Sequence, residues 1–532
     1  MVSAVKMGDQ KQNESKDQTK DPMTILEDGL ILCKFGRFHI RLLFTSMTAV
    51  FASTMVTTTS SYILPMAECD LNMSIMHKGL LNAMPFFGQV GATFFTGFLV
   101  DAFGRRIFLV GGNAAIFVCT IIEGSSQNYW MLIVLKLLEG IALSLSFTAV
   151  ASMVSEFVHK NIRDRILMLY CSFMSLSLVV AALISWGVLL QPWHVVIIKD
   201  YFELRIWNIY LYICSIWSLL AAVLYCTIPE SPKYLLSHGQ EREALEVLRK
   251  VYVENTGNLK TEYPITSLGA SGSFKSTKEM SLKKQMTHAM IDVKELFRAP
   301  LFCRLILFSS LTFVCLLAYS ALRLWYPQLS TIIENYQKDY GKTDRFCVMM
   351  NDYRFKLNEK INAFSSNITD TEICIPQISG SETYTNGIIL GLFSMFFVGA
   401  CGYLVDFMGQ KILMFILLIL CAVCSGSLYW TNSSIQAALL ISATCGLMQS
   451  ALSLQQNILI RVFPTTVRTL ALSAIVMIGR VGSLLGNILF PIMLELGCMG
   501  PFLALSVITL CVAGLVYYLP DPNKENNGAG DK

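Results

Sequence analysis

The chain has 532 residues, 54% of them hydrophobic and only 15% charged, with a mean hydropathy of +0.54. A soluble chain of this length is expected to form roughly three or four domains with about a quarter of its residues charged, and this composition excludes that. The formal net charge of +4 is small and dispersed, which argues against a nucleic-acid partner. Apolar runs of about 20 residues, long enough to cross a hydrocarbon core, define instead a polytopic protein of the lipid bilayer.

Residues 1–38 are polar, with six Lys/Arg and six Asp/Glu, so they are expected to be a cytosolic tail and the first apolar run a signal anchor as well as a span. Apolar runs against polar breaks predict about twelve helices. Six lie near 40–64, 79–100, 107–122, 130–154, 166–190 and 205–228, making a first half over 39–228. Six more lie near 304–326, 387–405, 412–430, 436–460, 469–493 and 499–519, making a second half over 304–519, with a short tail at 520–532. The fold class expected is an all-α membrane protein of two six-helix halves. With both termini in the cytosol, the short cytosolic loops carry eight Lys/Arg (Arg105, Arg106, Lys160, Arg163, Arg165, Lys411, Arg461, Arg468) and the short outer loops three (Lys78, Lys199, Arg205). The excess of cations inside selects that orientation.

Two longer polar segments remain. Residues 229–303 form a cytosolic loop in which "GQEREALEVLRKVYVENTG" puts Leu245, Leu248 and Val251 on one helical face, followed by the Gly/Ser/Lys-rich linker "SLGASGSFKSTKEMSLKK". Residues 327–386 form an outer loop holding the sequon at Asn367, the best glycosylation candidate, and Cys347 and Cys374, for which a disulfide is open. Most of the sixteen cysteines lie inside apolar runs, where a thiol acts as a small hydrophobe. No Cys/His group has metal spacing, and no Walker loop or GxSxG elbow is present. Neither an enzyme, a metal nor a cofactor is therefore expected.

The most specific signal is internal. "GFLVDAFGRR" begins at Gly97 and "GYLVDFMGQK" at Gly402, each in the loop after the second helix of its half. The spacing supplies a glycine for close helix approach, an Asp (Asp101, Asp406), a second glycine after it (Gly104 in the first copy), and cations (Arg105 and Arg106; Lys411) able to reach neighbouring carboxylates. Matching signatures in corresponding places argue for two repeats related by an axis along the membrane normal.

These residues resemble the major facilitator superfamily signature Gly-x-x-x-Asp-Arg-x-Gly-Arg-Arg. "SEFVHKNIR" carries the family's Glu-x6-Arg as Glu156 and Arg163, "KLLEG" is similar to its fourth-helix Arg-x-x-x-Gly, "PESPK" contains Glu230 after the sixth helix, and "RVFPTTVR" spans Arg461 to Arg468. Within the superfamily, "KFGRFHIRLL", "LPMAECDLNMSIMHKG", "PESPKYLLSHGQEREALEVLRKVY" and "LRLWYPQL" resemble the synaptic vesicle glycoprotein 2-like branch, with organic-ion transporters next. The resemblance implies a transporter fold. It also implies a cytosolic gate built from Asp101, Arg105, Glu156, Arg163 and Glu230, with a weaker second-half set of Asp406, Lys411, Arg461 and Arg468. This chain departs from the branch in having no carboxylate in "FASTMVTTTSSYILP" of the first helix and Arg461 where the family has Glu.

Charges inside a span are costly and are functional hypotheses by default. Arg480 lies eleven residues into the eleventh helix, about 16 Å along its axis, and so near mid-membrane. It reads either as the anchor for a substrate carboxylate, phosphate or hydroxyl cluster or as an Arg satisfied by its own neighbours. Lys136 and Glu139 share a face of the fourth helix and read first as a structural pair. Gln89, Gln449, Gln455, Gln456 and Asn457 either line a cavity or join helices, and Trp186 and Tyr319 offer rings for stacking. The expected function is a secondary transporter or facilitator of a small polar organic solute, an organic ion ahead of a sugar-like one. It would work by alternating access as a monomer in a plasma or vesicle membrane. Without a first-helix carboxylate, facilitation or exchange is expected over proton symport. The other class is a non-transporting receptor or trafficking protein on the same fold.

Overall fold

A computed structural model of the chain describes residues 22–198, 202–269, 298–299, 301–365, 379–463 and 468–519. The helices long and apolar enough to span are α2 (Arg37–Asp70), α3 (Ile75–Phe103), α4 (Arg105–Gly124), α5 (Tyr129–Phe157), α6 (Lys160–Leu189) and α7 (Ile206–Thr227). The second half follows with α10 (Leu301–Tyr340), α12 (Ser381–Met408), α13 (Gln410–Ser427), α14 (Ser434–Val462), α15 (Arg468–Leu496) and α16 (Met499–Leu515). The described residues give eleven such helices, or twelve when the bent α3 counts as one span. The shorter elements are α1 (Pro22–Leu32), α8 (Pro232–Ser237), α9 (Glu241–Thr256), α11 (Phe346–Ser365) and a hairpin of β1 (Val195–Ile198) with β2 (Phe202–Leu204).

Local chemistry fixes the breaks. Ser74 caps α3 by accepting from the His77 amide at 3.2 Å, and the Asn128 side chain accepts from the Trp130 amide at 3.0 Å to start α5. The two repeat signatures make the same turn. Gly104 (φ +96°) ends α3 and Gly409 (φ +76°) ends α12, a backbone conformation that suits glycine, and in each case the next helix starts at once. The first glycine of each signature packs otherwise than its sequence suggests. Among the described residues, a Cβ on Gly97 would meet only Ser473 Oγ at 3.8 Å, and one on Gly402 would meet nothing within 4 Å. Close approach is carried elsewhere. Gly88 of α3 and Gly140 of α5 lie against each other's backbones, and Gly482 and Gly486 of α15 lie against the carbonyls of Phe313 and Leu317 of α10.

The two halves meet where α3 packs on α15 and α6 on α12. The ends of the bundle are here called the terminal face, where α1 and the end of α16 lie, and the opposite face. Two helices run past the prolines where the apolar runs were read to stop. α2 continues through Pro65 to Asp70, and α10 continues through Pro327 for fourteen residues beyond 326. At the terminal face α1 buries Ile25, Leu26 and Leu30 against Leu245, Leu248 and Val251 of α9, so part of the stretch read as a polar tail is a docked helix. Most of the Gly/Ser/Lys-rich linker, from residue 270, lies outside the described residues, as do Asn367 and Cys374. Cys347 does not pair with Cys374: it forms a disulfide with Cys498, at the start of α16. The shared outer loop leaves a Cys347–Cys374 pair open, but α11 folds back against α16, with Phe346 packed on Phe502.

Candidate functional site

A cavity with about 330 Å³ of empty space, part of it continuous with solvent, lies between the halves. Thr58, Ser61 and Tyr62 of α2 and Ala181 of α6 line it from the first half, and Arg323 and Tyr326 of α10 with Gly387 of α12 from the second. The Arg323 guanidinium carbon stands 5.5 Å from the centre of the Tyr319 ring, and its Nε is buried without a hydrogen-bond partner among the described residues. Arg480 of α15 is half-buried and close enough to Arg323 for the two charges to repel. No carboxylate is paired with either guanidinium among the described residues. Arg323 was missed as a site residue because the seventh span was read to end at 326, which placed it at a helix end; the 40-residue α10 moves it to mid-helix.

The polar residues of α14 divide. Gln455 donates to Phe308 O at 2.7 Å and to Thr312 Oγ1 at 2.6 Å, so it joins α14 to α10 rather than facing a solute. Gln449 reaches across the halves to Ser175 at 3.3 Å, whereas Gln456 and Asn457 are exposed. Gln89 is buried, with its Nε2 unpartnered among the described residues. Trp186 is exposed and is not among the residues lining the cavity.

Lys136 and Glu139 are sealed inside the first half. Lys136 Nζ lies 2.8 Å from Glu139 Oε2 and 2.8 Å from Glu123 Oε2, and donates to Thr59 Oγ1 at 3.2 Å; Thr120 donates to Glu139 Oε1. All three charged side chains have no exposed surface. They do not line the cavity. Glu123 was missed because the third apolar run was read to end at 122, one residue short of it.

A second buried cluster closes the opposite face. Lys78 Nζ donates to Glu68 Oε2 at 2.7 Å and to the Tyr353 hydroxyl at 2.9 Å. Glu68 and Lys78 belong to the first half, while Tyr353 is on α11, anchored to the second half by Cys347–Cys498. Asn82 adds a bond to Leu324 O at 3.5 Å, again between halves.

At the terminal face, Arg105 pairs with Asp101 at 2.9 Å and Glu156 at 3.1 Å, and Glu230 accepts from the Arg105 and Arg106 amides at 3.1 and 3.0 Å. A carboxylate at the first turn of α4 is stabilised by the free amides and the helix dipole. Arg163 does not join this network. It pairs with Glu27 of α1 at 2.6 Å, beside Lys233 at 2.6 Å. Burial alone would raise the Glu27 carboxyl, but hydrogen bonds from Lys233 and Arg163 hold it below its ordinary value. None of these contacts reaches the second half. In the second half Lys411 caps the turn that follows α16, donating to Tyr517 O at 2.6 Å and Leu519 O at 2.7 Å. Asp406 and Arg461 are exposed, and the Arg468 side chain lies outside the described residues. The described contacts of the second-half set therefore form no latch.

A two-lobed bundle of twelve spans with a cavity shared by its lobes and closed at one face has the architecture of a membrane transporter. Residues 29–339 match the family described as "Sugar (and other) transporter" and residues 330–532 the Major Facilitator Superfamily. The chain belongs to the sugar (and other) transporter family. It is similar to synaptic vesicle glycoprotein 2A of Rattus norvegicus, 27% identical over 246 residues that cover 46% of this chain and 33% of the relative. With synaptic vesicle glycoprotein 2C of Mus musculus it shares 22% over 402 residues, 72% of this chain and 53% of the relative. The chain thus matches between a third and about half the length of these curated relatives. Among solved structures it is similar in fold to the E. coli xylose transporter XylE. The partially occluded inward-open form gives a TM-score of 0.61 at 13% identity, covering 91% of this chain and 99% of that one. The inward-open form gives 0.62 at 14%, covering 90% and 96%.

Proposed function

We propose that the chain is a secondary transporter that carries a small organic anion by alternating access, binding it between the halves near mid-membrane. The observation that carries this reading is a pair of guanidinium groups, Arg323 lining the cavity and Arg480 close enough to repel it, with no carboxylate paired to either among the described residues. One charge in a spanning segment is costly, and two like charges together cost more, so an anionic ligand stabilises the arrangement. Guanidinium groups match carboxylate and phosphate oxygens in paired hydrogen bonds. Tyr62 and Tyr326 line the cavity beside Arg323, and Tyr319 packs on it; their rings suit an anion with a hydrocarbon or ring body.

The distribution of loop cations supports a cytosolic terminal face. The contacts of Tyr353 with Lys78 and Glu68 then close the outer side, and the Asp101, Arg105, Glu156 and Glu230 set, with no described partner in the second half, is an inner gate in its released form. Asn367 would carry a glycan on the outer side. The cavity needs no second copy of the chain.

The test is thermal stability of the purified full chain against organic anions, cations and sugars. A ligand bound to the folded state alone adds about 2.7 kcal/mol at a hundredfold excess over Kd. Stabilisation confined to anions, and lost in Arg480→Ala and Arg323→Ala variants that still fold, is the expected result. A folded protein stabilised by sugars or cations overturns the anion reading. One stabilised by nothing favours a receptor or trafficking protein on this fold.

A further inference from the structure

The sealed group around Lys136 has a charge that does not balance. Two carboxyls, Glu123 and Glu139, face one ammonium at 2.8 Å each, and none of the three has any exposed surface. Were both carboxyls ionised, the group would carry one net negative charge inside a spanning bundle. Both Glu123 carboxyl oxygens are buried with no hydrogen-bond partner among the described residues. With one cation beside two sealed carboxyls, the charges balance when one carboxyl holds a proton and the ammonium is left opposite the other carboxylate.

The other groups facing the cluster do not supply the missing positive charge. On α4 these are the Thr120 hydroxyl and the Cys119 thiol, on α7 the Cys214 thiol with its neighbour Tyr210, and on α2 the Thr59 hydroxyl. The position of the group makes the proton able to leave. Glu123 is the last residue but one of α4, at the opposite face, and Lys136 lies seven residues into α5, about 10 Å from that end. The group also touches the moving parts: Thr59, which accepts from Lys136, adjoins Thr58, which lines the cavity.

We propose that Glu123, Lys136 and Glu139 form a proton-binding site that holds one exchangeable proton in the conformation closed at the opposite face. Binding converts one carboxylate to a carboxylic acid and changes no other bond; release returns the proton to water when the halves part there and α2 shifts away from Lys136. The first helix therefore needs no carboxylate of its own for transport to respond to a proton gradient. The inference goes beyond the anion reading and stands whatever solute the cavity takes.

The experiment is the pH dependence of the folding equilibrium of the purified full chain in detergent. Over about pH 5 to 8 the unfolded chain has both glutamates ionised, while the folded chain holds one extra proton. Stability therefore falls as pH rises, by a tenfold loss in the folding constant per pH unit. Glu123→Gln leaves a neutral Lys–Glu pair and removes this dependence, so wild type and variant differ in slope by one decade per unit. Glu139→Gln removes the same proton and serves if the first variant does not fold. Equal slopes overturn the proposal. Infrared spectra of the wild type provide a check free of variants: a carboxylic-acid C=O band present at neutral pH and lost in alkali supports the site, and its absence at neutral pH overturns it.

Discussion

Replacing Gly140 by alanine tests where the helices of the first half touch. A Cβ at 140 would lie 2.8 Å from the Pro85 carbonyl carbon and 2.9 Å from its Cα, and closer still to its oxygen. These are backbone atoms of α3, held by their own helix, so no side chain can swing aside. Restoring ordinary contact requires α3 and α5 to part by on the order of 1 Å, which strips dispersion contacts along the whole crossing. Overpacking of this kind costs about 1–3 kcal/mol, against which a glycine-to-alanine change inside a helix returns up to about 1 kcal/mol. The net expectation is a loss of about 1–2 kcal/mol for Gly140→Ala, read as a lower midpoint of thermal or denaturant unfolding in detergent. Gly402→Ala, with open space around the new methyl group, should be neutral or slightly stabilising by the same assay. A stable Gly140→Ala beside a destabilised Gly402→Ala would refute the packing scheme.

Three further outcomes are expected. Cys347→Ser should lower stability by about 2–5 kcal/mol relative to wild type without reductant, and the difference between the two should close when reductant is added, as followed by thermal unfolding. Tyr353→Phe removes a hydroxyl that accepts from the buried Lys78, so about 1–2 kcal/mol should be lost and spin-label distances between α3 and α11 should lengthen at the opposite face. Glu27, held below its ordinary value by Lys233 and Arg163, favours docking of α1 at neutral pH. That contribution is lost as pH falls below the ordinary 4.5 through its lowered value, so corrected hydrogen exchange in α1 should speed up in acid, and Glu27→Gln should abolish the change.

The span count and the two-repeat organisation were legible because they rest on one-dimensional signals, apolar length and a repeated Gly/Asp pattern. The sites were legible only where the key residue stood inside a run. Arg480 did. Arg323 and Glu123 stood at ends that hydropathy cannot fix to better than a few residues, and the helices in fact continue past Pro327 and through Glu123. Lys136 and Glu139 were visible as neighbours on one helix face, but their third partner comes from another helix and no periodicity names it. The pairing of Cys347 with Cys498 is long-range in the same sense: 151 residues separate them, and only the fold of α11 onto α16 brings them together. The role of Gly97 and Gly402 was misjudged because spacing shows that a glycine recurs without showing what stands opposite it.

The Cys347–Cys498 bond has a topological consequence. It closes a covalent ring that takes in α12, α13, α14, α15 and most of α11. A single protease cut anywhere inside that ring leaves the molecule in one piece, running as an intact chain on a non-reducing gel and splitting in two only when reductant is added.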